Sequence, residues 1–293
     1  MCQLHLNVNT KLTSNKWLVM YKKLKIALNL LWAVSCAAQA QELTSTQAKQ
    51  IEFNQINNSA WQQVMFDSGD KNWREHWFVD GLVGSVENSP KGMHVKAGPE
   101  ANNHAHHFVV WSKQIFTGDI KVEYEYTRTD SAIRYVNILY LLANGEGTAQ
   151  FDKDIMRWAD YRQAPYMRHY FDNMNTYHIS YAAFGIENND ADKDYVRARR
   201  YLPLENRGLK GTALEGDNMN TGLFKTGVPH RITVIKKGQN LWMRVVNQTQ
   251  SQIYHWDLTS HPDITEGRIG LRHMYTRSAR YKNFSVSTLA PAN

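Results

Sequence analysis

Between Gly267 and Val286 the chain carries two alternating runs, and this pattern restricts what it can fold into. In the first, Ile269 and Leu271 alternate with Arg268, Gly270 and Arg272. A strand turns successive side chains to opposite faces, so the aliphatics take a buried face and the arginines the other. In the second, Tyr281, Phe284 and Val286 supply the aromatic and β-branched character of a strand. The polar residues between the runs read as a tight turn, so the segment is expected to be two short strands joined there. Arg272, and His273 beside it, are expected at a ligand-facing surface.

The same signal recurs upstream. Ile120, Val122, Tyr124 and Tyr126 alternate with Lys121, Glu123 and Glu125, which describes a half-buried strand with one solvated face. Trp77–Val79, Met93–Val95, Phe108–Trp111, Arg134–Leu142 and Thr176–Tyr181 are further strand candidates. Arg231–Lys236 and Leu241–Asn247 form a hairpin through Lys237-Gly238-Gln239. Regular strands with turn signals and few helical stretches predict an all-β sandwich. Two segments break the rhythm, Phe151–Asn175 and Glu187–Gly222. Loops this long in a compact domain carry function or are disordered.

The N-terminal part reads as an address. Starting from Met20, a basic stretch (Lys22, Lys23, Lys25) precedes the apolar run Ile26–Val34, which is too short to span a bilayer stably. Ala38-Gln39-Ala40 is a small-x-small cleavage site. Residues 1–40 are therefore expected to be a leader with a signal peptide, 41–65 an N-terminal arm and 66–293 the sandwich. The expected destination is the periplasm or the exterior, without stable membrane insertion. A lipoprotein anchored at Cys36 is the minor alternative. Both cysteines, Cys2 and Cys36, would leave with the leader, which removes disulfides and thiolate metal sites. The leader also holds five lysines and no acid, so its loss lowers the formal charge from +7 to +2. The basic balance thus gives no reason to expect a nucleic-acid partner.

Three stretches, Phe108–Ile120, Tyr177-His178-Ile179-Ser180-Tyr181 and Gly267–Val286, resemble in order and spacing the YesU-like proteins, the DUF1961 family. The resemblance spans roughly Phe66 to Leu289 and implies a concanavalin-like jelly roll. That fold is a sandwich of two antiparallel sheets with long groove-side loops, one sheet curving into a sugar-binding groove. Members often accompany pectin- and uronate-degrading enzymes, which implies an anionic poly- or oligosaccharide partner. The chain departs from the family where members carry an Arg-Lys-Asn-Pro-Gly-like segment; here Val196 to Pro203 stands.

A glycoside hydrolase needs two carboxyls flanking the scissile bond. The Glu-x-Asp-x-x-Glu arrangement of sandwich hydrolases is missing, and Glu123 and Glu125 read as a solvated face. The chain instead concentrates His, Tyr and Arg. β-Elimination from a uronic acid needs a cation on the carboxylate, a base for the C5 proton and an acid for the leaving oxygen. His178, which alternates away from Tyr177, Ile179 and Tyr181, is the expected base; Tyr170 or Tyr166 the acid; Arg272 the carboxylate clamp. His107, Trp111, Arg134, Arg162, His169 and His273 are the expected substrate contacts. The reading is a lyase or dehydratase, with a non-catalytic carbohydrate-binding protein as alternative and a hydrolase using Asp160 and Asp172 behind it. No cofactor is expected. His104, His106 and His107 lack an identifiable third-ligand partner, and Asp190-x-Asp192-x-Asp194 is a solvated acidic loop before it is a structural calcium site.

Overall fold

The computed structural model describes residues 46–204 and 208–289. The expected leader, its start at Met20 and its cleavage site lie outside the described residues. The chain divides into two compact units, Met1–Glu52 and Phe53–Asn293. Of the first, only residues 46–52 are described, and they are helical.

The second unit is built from β1 (Trp61–Asp67), β2 (Trp77–Asp80), β3 (Ser85–Glu87), β4 (Met93–Lys96), β5 (Phe108–Ser112), β6 (Phe116–Thr117), β7 (Ile120–Arg128) and β8 (Tyr135–Gly145). It continues with β9 (Met174–Phe184), β10 (Tyr195–Tyr201), β11 (Asn218–Met219), β12 (Pro229–Lys237), β13 (Asn240–Val246), β14 (Ser251–Asp257), β15 (Glu266–His273) and β16 (Ser278–Leu289). One sheet runs β14-β13-β12-β7-β16-β4-β3, with β1 also on β16. The other runs β11-β10-β9-β8-β15-β5-β2, with β6 also on β15. Neighbouring strands are antiparallel. The expected two-sheet, all-β sandwich is the fold observed.

Period-two patterning explains the layers. Along β7, Ile120, Val122, Tyr124 and Tyr126 are buried between the sheets, while the residues between them are half-exposed. Glu123 pairs with Lys121 at 3.1 Å and Glu125 accepts from Asn283, so both glutamates belong to the outer surface, as expected.

The two strands expected between Gly267 and Val286 are β15 and β16, joined by a short turn as expected. β15 joins β8 and β5, and β16 joins β7 and β4, so the turn carries the chain from one sheet to the other. Two expectations are corrected. Glu187–Gly222 is not wholly a loop, because Tyr195–Tyr201 is a strand of the second sheet. The sandwich also begins before residue 66, since β1 starts at Trp61 and pairs with the end of β16.

In the second sheet β5, β8, β9 and β15 are buried along almost their whole length on both faces. Its outer face carries a second apolar cluster that includes Trp111, Ile138, Tyr140, Trp158, Tyr170 and Tyr201. Trp158 and Tyr170 come from the irregular stretch after β8, which forms a 3-10 helix (Ile155–Arg162) and a short helix (Met167–Phe171). This excursion is a cover over the sheet. It docks through one carboxylate: Asp80, at the end of β2, accepts from Trp111 Nε1 at 2.8 Å, Arg162 Nε at 2.7 Å and Tyr170 OH at 2.9 Å.

Candidate functional site

β9 sends Tyr177, Ile179 and Tyr181 into the inter-sheet core, which leaves His178 and Ser180 on the outer face. β10 does the same: Val196 and Ala198 enter the core, and Tyr195, Arg197, Arg199 and Tyr201 face outward. Arg199 lies opposite His178 in the ladder between these strands. Together they line a cleft of about 490 Å³, closed on one side by Met167 and Phe171 of the short helix. That volume is within the range of small-ligand sites.

At the cleft floor, His178 Nδ1 is 2.5 Å from Tyr201 OH and Nε2 is 2.7 Å from Ser180 Oγ. Only 3% of His178 is exposed. Burial, reinforced by the charges of Arg199, Arg272 and Arg197, pushes its pKa well below the usual histidine value, so the imidazole is neutral. Burial pushes the Tyr201 phenol upward, with Tyr140 adding to this and Arg199 and Arg272 opposing it. At neutral pH the imidazole is therefore unprotonated and the phenol protonated.

The charge of the cleft is one-sided. No Asp or Glu lines it among the described residues. Arg197 is spoken for by Asp217, at 2.8 Å from its Nε. Arg199 donates to Thr212 Oγ1 at 3.2 Å and has no carboxylate partner among the described residues. Arg272 is fully buried beneath the cleft. Its Nη2 donates to His107 Nδ1 and to the Pro165 carbonyl, and its guanidinium lies over the Tyr170 ring at 4.3 Å. Its Nε and Nη1, and the Tyr140 hydroxyl, make no well-formed hydrogen bond among the described residues, although the guanidinium lies near enough to that hydroxyl to oppose the burial-driven rise of the phenol pKa. A buried guanidinium without a carboxylate partner among the described residues is a standing positive potential.

A family model described as "Domain of unknown function (DUF1961)" matches residues 66–286. The chain belongs to the DUF1961 family. The resemblance carried by the three motifs is thus borne out. No curated protein matches the chain. Among solved structures, a protein of unknown function with galectin-like fold from Bacillus subtilis is 16% identical, covering 78% of this chain and 100% of its own, with a TM-score of 0.58. Basic winged bean lectin with Tn-antigen is 8% identical over 79% of this chain and 100% of its own, with a TM-score of 0.50. A legume lectin-like domain from Entamoeba histolytica is 8% identical over 78% and 97%, also at 0.50. These likenesses establish a lectin-like sandwich for this DUF1961 chain.

The structure brings His178 and His107 to the cleft and moves the other expected residues elsewhere. Tyr170 is fully buried and its hydroxyl is committed to Asp80, so it cannot serve as an acid at the cleft. Tyr166 is exposed, with its ring 4.7 Å from that of His104, and does not line the cleft. Arg272 backs the floor instead of standing in the cleft as an open clamp. Trp111 is fully buried, with the Tyr140 and Tyr170 rings 5.3 Å and 6.4 Å from its own, which closes it to a sugar. Arg162 is fully buried in its ion pair with Asp80 and also lies 4.2 Å over the Trp158 ring. Arg134 is exposed outside the cleft and donates to the Asn188 carbonyl. His169 lines a separate hollow in the cover. His273 shares the parity of Ile269 and Leu271, so it enters the core and meets Tyr281 OH at 2.9 Å. Asp194 also turns inward, where it accepts from Thr221 and Gly222.

Sequence reading missed Tyr201 and Arg199. Their signal was available: Tyr195, Arg197, Arg199 and Tyr201 recur every second residue around Val196 and Ala198.

Proposed function

We propose that this DUF1961 chain is an exported protein that binds a uronate-containing saccharide in the cleft and cleaves it, or dehydrates its terminal uronate, by β-elimination. The observation that carries the reading is the His178–Tyr201 pair beside Arg199 in a cleft lined by no described carboxylate. A uronate carboxylate pairs with Arg199, and the buried charge of Arg272 stabilises the electron density that builds on that carboxylate as C5 loses its proton. In the tautomer where His178 Nδ1–H donates to Tyr201, the phenol hydrogen is free for the cleft. His178 Nε2 then holds a lone pair toward the Ser180 hydroxyl, which rotates aside. The C5 proton passes to Nε2, the C5–H electrons form the C4=C5 bond, and the C4–O bond breaks. The departing oxygen takes its proton from Tyr201, and the Nδ1 proton of the imidazolium returns to the phenolate. The leaving group is a sugar or water.

Incubation with a panel of uronate oligosaccharides, followed by absorbance of the unsaturated product in the near ultraviolet, tests this. Product formation with the parent chain and its loss in His178→Ala support elimination. Saturable sugar binding without product overturns it in favour of a second reading, a non-catalytic carbohydrate-binding protein. That reading is favoured by one observation, that both ring nitrogens of His178 are already hydrogen-bonded.

A further inference from the structure

The short helix Met167–Phe171 has three faces with three environments. Met167 and Phe171, one turn apart, border the cleft. Tyr170 points down to Asp80. Arg168 and His169 turn the other way and line a hollow of about 470 Å³ within the cover, shared with Phe151, Tyr161 and Asp172.

This hollow has a chemistry unlike that of the cleft. Tyr161 is 44% exposed, although its ring is 4.2 Å from that of His169 and 5.4 Å, edge-on, from that of Phe151. Its ring is thus supported by two neighbouring rings while remaining part-exposed at the hollow. Asp172 is 5% exposed; its Oδ2 accepts from Arg168 Nε at 3.3 Å, while Oδ1 is buried with no partner among the described residues. His169 is held below the usual histidine pKa, chiefly by burial and then by Arg162 and Arg168, so it adds no charge at neutral pH. Glu146 adds a second carboxylate to the rim, so Arg168 is outnumbered. An anion is therefore disfavoured. A buried carboxylate oxygen with a free lone pair wants a hydroxyl donor, and an exposed ring wants an apolar face. A neutral pyranose supplies both, presenting C–H bonds on one face and hydroxyls around its edge.

We propose that this hollow is a second saccharide site, selective for a neutral pyranose unit, with Tyr161 as the stacking surface and Asp172 Oδ1 as the hydroxyl acceptor. It stands independently of the reaction assigned to the cleft. The test uses the full chain with the methyl glycosides of β-glucose, β-galactose and α-rhamnose as neutral probes, and methyl β-glucuronide as the charged one. Binding is followed by saturation-transfer NMR and titration calorimetry. At least one neutral glycoside should saturate the protein with a Kd of about 1 mM, as suits a single sugar on one ring. Tyr161→Ala should weaken it about tenfold and Tyr161→Phe should restore it. Asp172→Asn should weaken it also, whereas Arg199→Ala should leave it unchanged. Because Tyr161 is exposed, its replacement should not alter the melting temperature, which separates lost binding from lost fold. Failure of every neutral glycoside to saturate below about 50 mM, or binding that survives Tyr161→Ala, overturns the proposal.

Discussion

Asp80 and Arg162 form an ion pair with both side chains fully excluded from solvent, joining the end of β2 to the cover across 82 residues of sequence. The same carboxylate holds Trp111 and Tyr170, so strand, sheet and cover meet on one residue. Removing one partner of such a pair leaves an uncompensated buried charge, at about 3–5 kcal/mol. Asp80→Asn should therefore lower stability by that order in urea denaturation. Limited proteolysis should then cut first between Phe151 and Asn173. A variant that melts like the parent and resists protease would show that the cover is held by its apolar contacts alone.

For the acid–base pair, His178→Ala and Tyr201→Phe should each cost roughly 10²–10⁴ in turnover. Saccharide affinity should stay within a few-fold, because neither group is asked to hold the ring. Tyr201→Phe is the cleaner test, since it removes only an oxygen. If both variants lose activity merely in proportion to their folded fraction, the pair is structural.

Arg199→Lys should impair uronate binding, whereas a neutral sugar of the same linkage should be unaffected. An ammonium cannot reproduce the forked contact of a guanidinium. The loss should appear in KM and kcat together. Equal kinetic constants for the two proteins would remove Arg199 from the carboxylate contact.

Acid sensitivity follows from four buried histidines. Burial holds His230 at about 4, His273 at about 3 and His107 at about 2, and pushes His178 well below the usual histidine value. Unfolding returns each to about 6.5, so below that pH the unfolded chain binds more protons than the folded one. Stability should be constant with respect to these groups above pH 6.5 and fall as pH drops, by roughly 1.4 kcal/mol per pH unit for each histidine. Urea midpoints at pH 7.5, 6 and 5 measure this. A flat profile across that range would mean that the histidines are hydrated in the folded state.

Where the sheet face was simple, the sequence could be read directly. Ile120 to Tyr126 gave its strand, its burial and its solvated glutamates, and Arg231–Asn247 gave its hairpin, because each has one apolar and one wet side. β10 was hidden because its outward positions carry two arginines, which read as a polar loop when the cleft they face is unknown. Tyr170 and Arg162 looked like ligand contacts because aromatic and basic residues on an irregular segment usually are. Here the segment folds back over the sheet and uses them as its own core. No local pattern distinguishes a loop that meets a ligand from one that takes the ligand's place. His273 was a misreading of parity, since the alternation that buries Ile269 and Leu271 buries it as well.

The position of the last two strands sets when this protein can fold at all. β15 lies between β8 and β5, and β16 between β7 and β4, so the two strands that come last in chain order among those described sit in the middle of both sheets. Until they emerge, each layer exists as two separated halves, with unpaired inner edges that invite association with other chains. A premature stop before Glu266 would therefore remove the seam of the whole sandwich, where the same loss from an edge would cost one strand.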